Sequence, residues 1–304
     1  MRDNFVLKII LFLLGKNNSM ALNLKTLGTR SISAVFFVII LVSCIWYSYV
    51  TFLLLAFLVS LLALNEYYQL ANKLNASPYK WVGFIFGSVI FFYFVVINFL
   101  KGFPFINWDN ISILFYLLLL FPFILMMLAL FSDSPKSLLN VMHTLIGVLY
   151  TVLPFGLLIS IPWVDKEAVS YNYFKVLGII FLIWSNDTLA YLGGSVLGKN
   201  KLYERISPGK TWEGTIIGAV GTVGVGFLLN YNHTYANEWI WPCIALLVAV
   251  LGTIGDLVES MLKRMAGVKD SGQIMPGHGG ALDRFDSLIF VTPFVYVFLK
   301  IVSV

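Results

Sequence analysis

Apolar residues run along this chain in blocks, each cut by a short stretch where charge and glycine return. A block of about 17–25 apolar residues is what an α-helix needs to cross the hydrocarbon core of a bilayer. Nine blocks meet that length and predict spans at 31–49, 50–66, 81–99, 111–131, 139–162, 173–197, 213–230, 239–262 and 286–303. The first two are separated only by a tight turn near Trp46 to Val50. Trp46, Trp81, Trp108, Trp163, Trp239 and Trp241 fall near span ends, where interfacial aromatic rings belong. Ahead of the first span, Asn4 to Leu14 is apolar but too short to cross, and no small-residue cleavage site follows it. Residues 1–30 therefore read as a cytosolic or interfacial segment rather than a secretory leader, with Met20 as an alternative start. Residues 31–304 read as one multi-span domain, without internal repeats or heptads.

Composition sharpens this to an all-α polytopic membrane protein. Of 304 residues, 59% are hydrophobic and 12% charged, against about 25% charged in soluble domains. With the N-terminus in the cytosol and nine spans, sixteen of the twenty Lys and Arg residues fall on the cytosolic side. That orientation puts loops 198–212 and 263–285 together in the cytosol, in a cell membrane. A net charge of +5 fits basic loops facing anionic lipid and gives no reason to expect nucleic acid. Cys44 and Cys243 sit in apolar runs and imply neither a disulfide nor a metal site.

The exception to the apolar pattern is Ser260 to Asp286, S-M-L-K-R-M-A-G-V-K-D-S-G-Q-I-M-P-G-H-G-G-A-L-D-R-F-D. Basic groups here stand beside paired carboxylates, as expected where cations hold phosphoryl oxygens and carboxylates hold a bridging divalent metal. Helical spacing puts Asp256, Glu259, Ser260 and Lys263 on one face. Asp256 has no basic residue four places on and reads as a metal ligand; Glu259 and Lys263 also fit a plain ion pair. Asp283 and Asp286 are three apart and point the same way if the last helix has begun, although a solvated helix start also favours acids. Asp187, in F-L-I-W-S-N-D-T-L-A-Y-L-G-G, lies mid-span, where a carboxylate costs about 2.5–3.5 kcal/mol unless it is paired or wet. It reads as a ligand lining a polar cavity or as a hydrogen-bonded structural residue. S-P-G-K-T-W-E-G brings Lys210 and Glu213 to a turn whose following amides could receive an anion. Lys199, Lys201 and Arg205 read as positive-inside anchors. Gly252 and Gly255, ahead of Asp256, allow close approach of a helix or ligand.

Read together, these motifs resemble the phosphatidate cytidylyltransferases, also called CDP-diacylglycerol synthases. The C-terminal signature of that family is matched without a gap from Ser260 to Asp286, and N-D-T-L-A-Y-L-G-G and S-P-G-K-T-W-E-G are similar to its two upstream motifs, so the likeness covers 185–286. Met275, Ala281, Leu189 and Gly209 depart from the usual residues, the last standing where a second Lys is common. The resemblance implies the reaction of CTP with phosphatidate to give CDP-diacylglycerol and pyrophosphate, Mg²⁺ as cofactor with a second, monovalent cation as a further candidate, a homodimer, and a site facing the cytosol. Carried onto this chain, Asp256, Asp283 and Asp286 hold the cation, with Asp187 behind them. Lys210, Lys263, Arg264, Lys269 and Arg284 hold phosphates and His278 donates to one. Glu213 and Asp270 orient basic groups, and Ser260, Gly279 and Gly280 complete the substrate-binding set.

Rival readings are another CTP-using lipid enzyme, either a polyprenol kinase or an archaeol-lipid cytidylyltransferase, and an ion-coupled transporter built on Asp187 and Asp256. The D-G-x2-A-R pattern of CDP-alcohol phosphotransferases is absent.

Overall fold

The computed structural model of the protein describes residues 24–100, 116, 118–164, 170–232, 235, 237–272 and 279–302. Each expected apolar block holds a helix, although 111–115 and 117 of the block at 111–131 lie outside the described residues: α1 Leu24–Tyr47, α2 Tyr49–Lys73, α3 Lys80–Leu100, α4 Phe121–Leu130, α5 Ser137–Leu158, α6 Tyr173–Leu197, α7 Trp212–Leu229, α8 Ile240–Met265 and α9 Leu282–Val302. Among the described residues, α2, α3 and α5 to α9 are long and apolar enough to cross a membrane; Ser33–Tyr47 of α1 and Phe121–Leu130 are shorter apolar helices. The chain is a polytopic membrane protein. The outward faces remain apolar, as on Phe36, Leu54, Phe123 and Val220, as lipid contact requires.

The break between α1 and α2 is a single extended residue, Ser48, whose hydroxyl accepts the Thr51 N–H at 3.1 Å and caps α2. Beyond it α2 runs to Lys73, two turns past the expected end of that span at 66. Inside α5, Val148–Val152 forms a π turn just before Pro154, a common adjustment where proline removes a helical N–H. Loop 198–212, read from sequence as a turn, contains a two-stranded antiparallel hairpin, β1 Lys201–Tyr203 with β2 Ser207–Thr211. The Trp212 N–H donates to the Asn200 carbonyl at 3.0 Å, and Thr211 caps α7 through Gly214 N–H at 3.2 Å. The sheet is too small to change the all-α class.

The two halves are packed differently. In α2 to α5 the contacts are aromatic: Tyr68 donates to the Thr144 carbonyl at 3.1 Å and Tyr49 to the Ile159 carbonyl at 3.1 Å, so buried hydroxyls find acceptors in neighbouring helices. In α6 to α9 small residues let backbones meet, most extensively between α6 and α7. A Cβ on Gly218 would lie 2.9 Å from that of Ala190, and one on Gly255 would lie 2.6 Å from that of Phe290 and 3.0 Å from the Asp286 carbonyl. Glycine at 255 is thus what lets α8 and α9 close beside their acidic residues.

Candidate active site

The acidic residues meet at one end of the bundle. Gly255 and the contact from the Ser287 hydroxyl to the Gly252 carbonyl, at 3.1 Å, fix α8 against α9. As a result one carboxylate oxygen from each of Asp256, Glu259 and Asp286 lies within 4.8 Å of the others. Asp256 and Glu259 are three residues apart on α8, and Asp286 comes across from the first turns of α9. Glu259 is fully buried, with the Lys263 ammonium 2.5 Å from its Oε2. Asp256 pairs with Lys210 from the hairpin and accepts from the Ser260 hydroxyl at 3.3 Å. Asp286 accepts from its neighbour Ser287 N–H at 2.6 Å. Three carboxylates, one of them fully buried, outnumber the two ammonium groups beside them, and such an all-oxygen, acid-rich set fits a hard cation.

Asp283 stands one turn away in a different setting. Its Oδ1 accepts from Lys263 at 2.7 Å. Its Oδ2 lies 2.9 Å from the Ser271 N–H, 2.9 Å from the Ser271 hydroxyl and 2.7 Å from the Gly280 N–H. Asp283 is not one of the three acids whose oxygens meet within 4.8 Å, but it borders them: its carboxyl is within hydrogen-bonding reach of Glu259, and Lys263 bridges the two. Asp187 is also outside the cluster, on α6, where it lines two cavities.

The first cavity, about 250 Å³, lies between α1, α6 and α9; Phe37, Val38, Leu41 and Ile183 give it an apolar wall that leads down to Asp187 and Asp286. Val38 is itself exposed, so the cavity reaches the apolar outer face. The second, about 390 Å³, lies under the hairpin, and Ser207, Lys210, Thr211, Thr215, Asp187 and Asp256 are among the residues that line it.

Other predicted site residues lie around this centre. Glu213 accepts from Lys199 N–H at 3.1 Å and from the Asn200 side-chain amide at 2.7 Å, anchoring the entry to the hairpin. Arg264 donates to the Val268 carbonyl at 3.2 Å, and Lys269 and Asp270 are exposed beyond it. Arg284 is exposed and lines the apolar cavity. Gly279 adopts φ +82° just before Gly280, a conformation that favours glycine. His278 lies outside the described residues.

Residues 28–302 match the Cytidylyltransferase family. The chain belongs to that family. Among curated relatives, it is 41% identical over 128 residues to the phosphatidate cytidylyltransferase of Brucella abortus biovar 1 (strain 9-941), covering 42% of this chain and 47% of that protein. It is 41% identical over 159 residues to that of Bacillus subtilis (strain 168), with 52% and 58% covered. To that of Staphylococcus aureus (strain COL) it is 38% identical over 178 residues, with 58% and 66% covered. The chain thus spans about half the length of the first of these relatives in the matched region.

Sequence spacing puts Glu259 on one face with Asp256 and also fits it to a plain ion pair with Lys263; it does not show Asp286 arriving from another helix. Glu66 stands at the end of the span expected at 50–66; with α2 continuing to Lys73, it is a mid-helix carboxylate in an apolar run, which is itself a signal.

Proposed function

We propose that this cytidylyltransferase-family protein joins CTP to phosphatidate, forming CDP-diacylglycerol and releasing pyrophosphate. The observation that carries the reading is the meeting of Asp256, Glu259 and Asp286 with the ammonium groups of Lys210 and Lys263, beside two cavities, one walled by α1 and one under the hairpin that holds Lys210. Two anions must react, so neutralisation and alignment are the main tasks. A phosphate monoester has a second pKa of about 6 and is already largely a dianion at neutral pH. Its oxygen attacks the α-phosphorus of CTP without a strong general base, and pyrophosphate departs in line.

Asp256, Glu259 and Asp286 would hold Mg²⁺, which when bound supplies charge neutralisation of the phosphoryl oxygens. Lys210 reaches the second cavity from the hairpin and holds triphosphate oxygens; Lys263 keeps Glu259 and Asp283 from repelling each other. The apolar cavity admits the lipid from the bilayer side, so that its phosphate reaches Asp187 and Asp286 while its acyl chains stay among Phe37, Val38 and Leu41. Asp283 acts as an anchor for Lys263 and the adjoining loop. Arg264, Lys269, Arg284 and His278 supply further positive or donor groups to phosphate, and Asp270 orients them. The site faces the cytosol, where CTP is found, and the working unit is a homodimer, as the resemblance implies.

The test is incubation of the purified chain in detergent with labelled CTP, phosphatidate and Mg²⁺. CDP-diacylglycerol and pyrophosphate are expected in equal amounts. Release of CDP would favour a lipid kinase; acceptance of an archaeol lipid in place of phosphatidate would move the assignment to that substrate; ion flux in liposomes without CTP would favour a transporter.

A further inference from the structure

Glu66 lies on α2, in the half of the chain that carries none of the family motifs. It is 2% exposed. The three donors that meet it among the described residues all come from the signature stretch. Its Oε1 accepts from the Ala281 N–H at 2.9 Å, and its Oε2 from the Leu282 N–H at 2.8 Å and the Ser271 hydroxyl at 2.9 Å. Ala281 and Leu282 open α9, so the carboxylate sits on the amides at the start of that helix, where negative charge is favoured. Ser271 belongs to the other arm of the same loop. One side chain therefore holds both arms of the signature stretch.

The surroundings leave room for this arrangement. A Cβ on Gly280 would run into both carboxylate oxygens, and one on Gly272 would run into Oε1 and lie 2.8 Å from Cδ. Glycine at these two positions is what lets the loop arms close on Glu66. The contact also leads inward. The Ser271 hydroxyl is 2.9 Å from both Glu66 Oε2 and Asp283 Oδ2 and has one proton to share between them. Asp283 binds Lys263, and Lys263 lies against Glu259 of the acidic cluster.

We propose that Glu66 is a positioning residue for cytidylyl transfer: it clamps the two arms of the signature loop to α2 and thereby sets Asp283, Lys263 and Glu259 for cation and phosphate binding. The inference rests on the function proposed above. It assigns work to the N-terminal half, which otherwise supplies only packing and the apolar cavity wall. A carboxylate is suited to the task because two oxygens accept from three donors at once. Gln at 66 has the same shape but keeps one acceptor oxygen and turns an amide NH₂ toward N–H groups.

The experiment compares the full chain with its Glu66→Gln and Ser271→Ala variants in detergent. In the metal-free protein, amide exchange at Ala281 and Leu282 is expected to rise in Glu66→Gln while exchange in α3 stays at the parental level. Turnover is expected to fall about tenfold or more, with the Mg²⁺ concentration for half-maximal rate raised by about tenfold, the lower end of the range seen when supports of metal ligands are removed. Simple loss of folded enzyme would lower the rate equally at every Mg²⁺ concentration. Glu66→Gln combined with Ser271→Ala is expected to cost less than the two single losses multiplied, because both break one clamp. Should Glu66→Gln fail to fold, Gly280→Ala, which keeps the charge but crowds it, is expected to show the same shift in Mg²⁺ requirement.

An active parent whose Glu66→Gln variant keeps its Mg²⁺ requirement, or its exchange at Ala281 and Leu282, overturns the positioning role alone. A parent that releases no pyrophosphate from CTP and phosphatidate overturns the functional reading, and this role with it.

Discussion

Asp283 and Asp286 stand three residues apart on the first turns of α9, yet their neighbourhoods are opposite in kind. Asp283 is saturated: Lys263, two backbone N–H groups and the Ser271 hydroxyl all reach it. Asp286 faces Asp256 and Glu259, and the nearby donors are few. A carboxylate whose lone pairs are filled by protein donors is a structural anchor. Three carboxylates that meet with only two ammonium groups, Lys210 and Lys263, the second shared with Asp283, keep an excess of negative charge that a cation would balance. One turn of helix thus separates a loop fastening from a candidate cation site, and the difference comes from the number of donors rather than the residue type.

That contrast predicts a ranking of substitutions. Asp286→Asn or Asp256→Asn should lower CTP-dependent turnover about 10³-fold, at the upper end for loss of one preorganised electrostatic group, with little change in thermal midpoint; steady-state rates and a melting curve in detergent check both. Asp283→Asn should cost turnover less, about 10²-fold, and lower the thermal midpoint more, because a donor cluster loses its acceptor. The reverse order would erase the distinction between the two acids. Lys210→Met should raise the KM for CTP about tenfold, the worth of one charge-assisted contact, and leave the KM for phosphatidate unchanged; initial rates with each substrate varied would show it.

The two cavities give a further test of the same kind. Ala34→Trp on α1 narrows the apolar cavity and should raise the KM for phosphatidate about threefold to tenfold, the scale of a modest steric penalty, without touching that for CTP. The smallest effect belongs to Glu213→Gln, which loosens only the anchorage of the hairpin. It should shift the KM for CTP about twofold to threefold, as expected for an exposed contact. If either substitution affects the other substrate instead, the cavity assignment is wrong.

Much of the architecture was legible in the chain because membrane helices announce themselves by length. The expected block at 173–197 coincides with α6 to the residue, and the others, apart from the partly described block at 111–131, differ from their helices mainly at the ends. Ends are harder because polar residues near a span terminus look the same whether they lie outside the helix or inside a protein interior. Glu66 shows this: placed at the edge of a span it reads as ordinary, whereas two more turns of α2 make it buried. The hairpin at 201–211 was unreadable because its strands are short and polar and carry no alternating apolar pattern. Glu259 and Lys263 were legible as neighbours on one helix; their link to Asp283 was not, since it crosses to another helix.

By itself the sequence determined that the chain crosses a membrane in helical segments, that the family-like motifs fall in 185–286, and which acids and bases are available there. Those properties depend on local composition, on spacing along one helix and on contiguous motif residues. Only the tertiary structure decided which acids meet: Glu259 joins Asp256 and Asp286, Asp283 turns toward Lys263 and the loop, and Glu66 reaches across from α2. The reason is that each of these outcomes depends on close approach between helices far apart in the chain, set by glycines such as Gly255 and Gly280 and by the supply of hydrogen-bond donors, neither of which any single segment contains.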